Sequence, residues 1–296
     1  MSVTPSPPVL GVLAHDLRWA IVGLLVPGDL RTGEIVARTG QAPSLVSYHL
    51  ARLRDAGLVS VRRSTADGRD SYHALDLDAI GRAVGDMAAR IHPSLLEAAV
   101  GWPGAGADPG PGAVPGSGSG SGSVPGSGPV PGPVRGSGPV PGSGPALGSG
   151  PVPGSGQPVR ALFICSGNSA RSPMAAGWLN HLGGGRVTAR SAGVSPGPLH
   201  PLAVAAMAEH GVDISGHRPT HLSDVADGRF TRVITLCDRA RENCGDLPGP
   251  AAHWSIPNPA QAHPADLDAF RATARELRTR IRYLLPALAE GAHDLQ

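Results

Sequence analysis

The stretch ALFICSGNSARSPMAAGWLNHLG, residues 161–183, decides how the second half of the chain is built. An apolar run, Ala161 to Ile164, ends on a single cysteine, Cys165. Small and polar residues follow, then Arg171, Ser172 and Pro173, and only there does helical spacing of apolar residues begin. Apolar run, small-residue loop and helical pattern read as strand, tight turn and α-helix. Such a loop aims several backbone N–H groups at one point, and the helix start adds partial positive charge, which seats both a thiolate and a tetrahedral oxyanion. Gly167 lets the backbone approach closely, and Asn168 tolerates a left-handed conformation. Arg171 offers a planar fork for two oxyanion oxygens and a positive charge beside the thiol. Ser172 can donate to the sulfur, and Pro173 suits the first helical turn. Cys165 is the expected nucleophile, since the thiolate is the reactive form of cysteine. Ser166, Gly167, Asn168, Ser169, Ala170 and Ser172 are the expected oxyanion cradle.

Working outward, residues 102–158 consist almost entirely of Gly, Pro, Ser and Val, with PGSGPVPG recurring. So little apolar side chain cannot offset the entropy of ordering, so this segment is expected to be a disordered, partly extended linker. It divides the 296 residues into flanks 1–101 and 159–296, each long enough for a core. The net charge of +2 excludes a chain that binds nucleic acid by bulk charge alone. All 25 basic residues are arginine, which reads first as a genomic bias toward GC-rich codons. No apolar run approaches the roughly 20 residues of a membrane span, and no secretory signal is visible, so no membrane partner is expected. Three cysteines do not make a disulfide framework; the natural setting is the reducing cytoplasm, where cysteines serve catalysis, redox chemistry or metals.

In the first flank, Leu13, Leu17, Ile21 and Leu24 recur at helical spacing. A short helix follows over TGEIVARTG with Thr32 as N-cap, then a second over QAPSLVSYHLARLRDAGLV with Pro43 in its first turn. Val46, Leu50 and Leu53 form its buried stripe, which leaves Ser44, Ser47, Tyr48 and Arg52 facing away. LVSVRRSTADGRDSYHALDL reads as two strands around a turn at Asp67-Gly68. Helix, turn, helix and hairpin make a winged helix-turn-helix, whose second helix enters the DNA major groove. The stretches LAHDLRWAIVGLL and VSYHLARLRDAGLV and the hairpin resemble the ArsR-type winged-helix repressors over residues 8–92. That resemblance implies operator DNA as partner and a homodimer formed through the first helix and the one starting near Asp78. It places Arg62, Arg63 and Arg69 near DNA phosphates. Ten Arg against ten Asp plus Glu leave residues 1–101 formally neutral, so phosphate binding would rest on local clustering of arginines. This flank contains no cysteine, so a thiolate metalloid site of the kind found in relatives is excluded there. His73, His92 and Glu97 do not make a convincing metal set, and no metal or cofactor is expected.

CSGNSARSP between strand and helix resembles the low-molecular-weight protein tyrosine phosphatase fold, and so do RSAGVSPGPLHPLAVAAMAEHGVDISGHRPTHL, RVITL, HWSIPNPA and a final helix from about Pro264 to Leu288. The implied fold is a doubly wound α/β domain with a parallel sheet and its site at a strand's carboxyl end. The whole chain is therefore multidomain: an α+β winged helix-turn-helix, a Gly/Pro/Ser linker and a phosphatase-type parallel sheet. Two features separate a phosphatase from a phosphatase-like arsenate reductase. Cys237 and Cys244 stand seven residues apart in CDRARENC, which a phosphatase does not need and the reductases do. On a helix they would lie about 10.5 Å apart along the axis, and a disulfide needs Cα atoms within about 7 Å, so pairing demands unwinding. The general-acid position of both branches is usually an aspartate before proline; here it is Asn258, and an amide delivers no proton. The loss hurts a phosphatase more than a reductase; Asp266 or His253 is a conceivable substitute. The resemblance implies that Cys165 attacks arsenate while Arg171 holds it, that Cys237 attacks Cys165, and that Cys244 then attacks Cys237. Thioredoxin or a low-molecular-weight thiol would reduce the last disulfide. The rival readings are a phosphoprotein phosphatase and a non-catalytic, arsenic-responsive repressor.

Overall fold

The computed structural model describes residues 7–66, 68–92, 95, 159–225, 228–244, 247–249, 251–262 and 266–290. The expected linker at 102–158 lies outside the described residues, as do Asp67, Glu97 and Pro264.

The first flank folds as α1 (Pro8–Leu13), α2 (Asp16–Leu25), β1 (Leu30–Arg31), α3 (Thr32–Thr39), α4 (Pro43–Asp55), β2 (Val59–Arg63), β3 (Ser71–Leu75) and α5 (Leu77–Ile91). Its three strands are antiparallel in the order β1-β3-β2. Ile21, Leu25, Ile35, Val46, Leu50, Leu53, Leu58 and Val59 make its core. The first apolar stripe is not one helix: the chain breaks at Ala14-His15, where the His15 ring accepts the Leu17 N–H at 3.2 Å and caps α2. Within α2, Leu25, four residues after Ile21, is buried, and Leu24 is partly buried against the same core. Thr32 is the first helical residue of α3 and not its cap; the Glu34 carboxylate accepts the Arg31 N–H at 2.8 Å instead. The Thr32 hydroxyl turns to His73 at 3.0 Å.

The second flank contains β4 (Val159–Cys165), α6 (Arg171–Leu182), β5 (Val187–Gly193), α7 (Pro201–Ala208), β6 (Arg232–Thr235), α8 (Asp238–Asn243), β7 (Ala251–His253) and α9 (Leu267–Glu290). Its strands are all parallel, in the order β5-β4-β6-β7. β4 is central and buried almost throughout, which explains why it reads as a continuous apolar run rather than an alternation. Phe163, Met174, Trp178, Leu179, Met207 and Phe270 fill the space between sheet and helices. The strand order turns around β4, so Cys165 emerges at the carboxyl end of the sheet's middle, where such folds bind ligands. Among the described residues no helix is long and apolar enough to cross a membrane.

The described residues of the two flanks pack as one compact unit. The Asp29 N–H donates to the His253 carbonyl at 2.6 Å, along the outer side of β7. The Asp29 carboxylate accepts the Ser255 N–H at 2.7 Å and a fork from Arg280 at 2.8 and 3.2 Å. Burial disfavours the Arg280 charge, but Asp29 and Glu276 hold its pKa above the ordinary arginine value. Arg62 forks onto Glu276 at 2.8 and 2.9 Å, and Tyr72 packs on His253 with ring centroids 4.6 Å apart.

Candidate active site

The loop after β4 is shaped from behind. Asn168 takes the left-handed conformation that its residue type allows, at φ 44°. Its side chain is fully buried: Oδ1 accepts from the Thr220 N–H at 2.8 Å and pairs with His217 Nε2 at 3.1 Å, while Nδ2 donates to Ser172 and Ser191 at 2.9 and 3.0 Å. Burial pushes the His217 pKa down, against the opposing hydrogen bond to Asn168. The loop carbonyls of Ser166, Gly167 and Ser169 accept from the N–H groups of Ser195, Gly197 and His200 at 2.8–2.9 Å. Among the described residues no N–H of 166–170 donates to another protein group, so these donors remain for an anion. Gly193, at the end of β5, makes room for this turn: a Cβ there would lie 2.8 Å from the Asn168 nitrogen and the Ser166 carbonyl.

Cys165 is buried, and its sulfur lies 3.0 Å from the Ser172 hydroxyl. The Ser172 oxygen accepts from Asn168 at 2.9 Å, and its single hydrogen has two acceptors within reach, the Cys165 sulfur and, at 3.4 Å, the Ala192 carbonyl. Arg171 is held by the Ile256 and Leu236 carbonyls, at 2.9 and 3.5 Å, so its guanidinium is positioned before any ligand arrives. The resulting pocket, about 220 Å³, is lined by Cys165, Ser166, Gly167, Ser169, Ala170, Arg171, Cys237, Arg239, Asn258, Gln261 and Thr65. Two cysteines and two arginines therefore face one small polar cavity.

Cys237 is buried on the pocket wall, 3.2 Å from the Ser166 hydroxyl, and its sulfur accepts the Ala240 N–H at 3.4 Å as the cap of α8. Cys244 closes the other end of the same helix; both are free thiols, and all six residues between them are helical. Burial, then the neighbouring Cys237, pushes the Cys244 pKa up to about 11. Asn258 lines the pocket and caps the short turn Pro259–Gln261 through Ala260. Neither conceivable substitute acid reaches the cavity. His253 is buried between Thr235 and Asp238 at 2.8 and 3.0 Å, and Asp266 caps the start of α9 at Ala269. An Asn258→Asp variant keeps the capping acceptor and adds a proton donor on the pocket wall. It is expected to raise the rate of aryl phosphate hydrolysis by about 10²–10⁴-fold, the usual contribution of general acid catalysis, and to add a basic limb to the pH–rate profile. A rate unchanged within a factor of two would show that this loop does not face the leaving group.

On the other flank, Ser44, Ser47, Tyr48 and Arg52 are all exposed along α4, as their spacing requires. Arg63 and Arg69 are exposed too, whereas Arg62 is occupied by Glu276 and the Ser255 carbonyl. Sequence reasoning missed Thr65, Arg239, Gln261 and Gly193. Only Gly193 had a local signal, a glycine ending a strand beside the loop.

The comparisons with known proteins agree with this division. The low molecular weight phosphotyrosine protein phosphatase family model matches residues 160–293, and that of the bacterial regulatory proteins of the arsR family matches residues 15–61. An arsenate reductase of Staphylococcus aureus (strain bovine RF122 / ET3-1) is 40% identical over 104 residues, 33% of this chain and 76% of the relative. Arsenate reductase 2 of Staphylococcus saprophyticus has the same identity and coverage. A solved arsenate reductase in its phosphate-binding state is 29% identical, covering 44% of this chain and 98% of that one at a TM-score of 0.38. The two family models and the staphylococcal relatives, with the anion loop around Cys165, show that the chain belongs to the low-molecular-weight phosphotyrosine protein phosphatase family, on its arsenate reductase side, and carries an arsR-family helix-turn-helix ahead of that domain.

Proposed function

We propose that the chain is a DNA-binding regulator fused to an arsenate reductase. The observation that carries the reading is the pair of thiols in one pocket, Cys165 in the cradle and Cys237 on its wall, with a third, Cys244, at the far end of the helix that Cys237 caps. Cys165 attacks arsenic while Arg171 and the loop amides hold the remaining oxygens, and one arsenate oxygen leaves as water. Cys237 then attacks the Cys165 sulfur. The electron pair of the S–As bond stays on arsenic, which departs as arsenite, and a Cys165–Cys237 disulfide remains. Cys244 attacks Cys237, frees Cys165 and leaves a Cys237–Cys244 disulfide for thioredoxin or a small thiol to reduce. The names of the matching relatives support arsenate as substrate. Asn258 in the acid position disfavours the phosphatase reading, because expelling an alkoxide or aryloxide needs a proton.

The exposed α4 residues and Arg63 support operator DNA as the partner of the first flank. Leu10 on α1 and Val84 and Ile91 on α5 are exposed large apolar side chains, which supports pairing of two copies through these helices. The deciding experiment is turnover by the full chain: arsenite formed from arsenate with a thioredoxin system, against aryl phosphate hydrolysis. Arsenate turnover is expected, with aryl phosphate at least about 10²-fold slower for want of the acid. The reverse order would establish the phosphatase.

A further inference from the structure

The six residues between Cys237 and Cys244 are α8, and two of them hold the winged-helix flank. Asp238 accepts from the N–H and hydroxyl of Thr65, at the tip of the β2–β3 hairpin, at 2.6 and 2.9 Å. Its other oxygen pairs with His253 at 3.0 Å. Arg241 is paired with the Glu34 carboxylate of α3 and lies over the Tyr72 ring, 5.6 Å from its centroid. The Tyr72 hydroxyl is buried there, with no hydrogen-bond partner among the described residues. Thr65 also forms part of the mouth of the pocket that holds Cys165.

The geometry of a disulfide conflicts with this arrangement. A helix over 238–243 sets the two cysteines about 10.5 Å apart along its axis, whereas a disulfide needs Cα atoms within about 7 Å. Closing the bond must unwind α8, and an unwound α8 carries Asp238 and Arg241 away from Thr65 and Glu34.

We infer that α8 is a redox-controlled docking surface for this chain's own wing: the dithiol form holds the hairpin tip and α3, and the Cys237–Cys244 disulfide releases them. Release uncovers the pocket mouth, where a protein reductant has to enter, and frees Arg62 from Glu276 for a phosphate. The oxidant is arsenate, so this step rests on the reductase reading. Arsenate takes two electrons from the two thiols, one of its oxygens leaves as water with the two thiol protons, and arsenite and the disulfide remain. A thiol-oxidising diazene closes the same bond without arsenate, taking up two electrons and two protons to become a hydrazine.

The test is amide hydrogen exchange of the full chain, read at Asp29 and Thr65, whose N–H groups both donate across the contact. A Gly28→Ala chain is the undocked reference, since a Cβ at Gly28 would sit 2.6 Å from the His253 carbonyl, in a backbone contact that cannot yield by side-chain rotation. In the reduced chain both amides are expected to be protected, and in reduced Gly28→Ala to exchange faster by at least about tenfold. After diamide, with the Cys237–Cys244 bond verified by mass spectrometry, the native chain is expected to reach the Gly28→Ala rates. A closed disulfide with both amides still protected would overturn the inference and leave the reductase reading intact. Failure of diamide to close the bond would also overturn it. If diamide releases the wing and arsenate forms no disulfide, the inference holds and the reductase reading falls.

Discussion

A Cys165→Ser chain is expected to bind arsenate and to reduce none of it. Serine is close in size and keeps a hydrogen-bonding atom 3 Å from Ser172, so the buried position should tolerate it, and the melting temperature should barely move. The cradle that holds the anion, the loop N–H groups and Arg171, is untouched, so calorimetric titration should still detect phosphate or arsenate. Chemistry fails at the next step. A serine hydroxyl is far less acidic than a thiol, and an oxygen bonded to arsenic cannot be captured by Cys237 as a disulfide, so no electrons reach arsenic. Loss of a nucleophile that works as part of a unit costs on the order of 10⁴–10⁶ in kcat, which puts arsenite production below detection. Turnover within tenfold of the native rate would assign the attack to another thiol.

Cys244→Ser is expected to stop after one arsenite per chain. The first exchange needs only Cys165 and Cys237, which share the pocket, so the product should be a chain with a Cys165–Cys237 disulfide, identified by peptide mapping. In the native chain, burial and the nearby Cys237 keep Cys244 protonated at neutral pH while α8 is helical, with a pKa of about 11. Opening α8 exposes the thiol and returns it toward the ordinary cysteine range of about 8.5. On the proposed relay, opening of α8 is therefore expected to precede the attack of Cys244 on Cys237. With thioredoxin as donor and no small thiol present, sustained turnover by Cys244→Ser would remove the third cysteine from the cycle.

What the sequence revealed was local. CSGNSARSP carries its own geometry: Asn168 for the left-handed turn, Ser172 one helical turn beyond and Arg171 at the helix start lie within eight residues of Cys165. The α4 stripe was equally legible, since Val46, Leu50 and Leu53 obey helical spacing and are buried. Differences arose where one residue's hydrogen bond set a helix end, as at His15 and Glu34, because a capping interaction shifts a boundary without changing the apolar pattern. The rest was not legible because its partners are far apart in the chain. Thr65 reaches the pocket only because Asp238, 173 positions later, accepts two of its hydrogen bonds. Asp29 and Arg280, 251 positions apart, look like ordinary surface charges until each is seen to neutralise the other. Arg62 reads as a phosphate contact from its hairpin alone; Glu276 on α9 gives it another partner.

The outer side of β7 has a consequence for any work on the separate halves. A sheet's last strand presents a row of unpaired backbone groups, a template on which another chain can add. In the intact protein the segment at Gly28-Asp29 lies along it, with the Asp29 N–H on the His253 carbonyl and no room for a side chain at Gly28. Cutting the chain between the flanks strips that cover, takes Asp29 from Arg280 and Thr65 from Asp238, and leaves the outer side of β7 open on the second flank. The winged-helix flank thus covers an edge of its neighbour's sheet, and the separated second flank is expected to self-associate more readily than the full chain, read by light scattering.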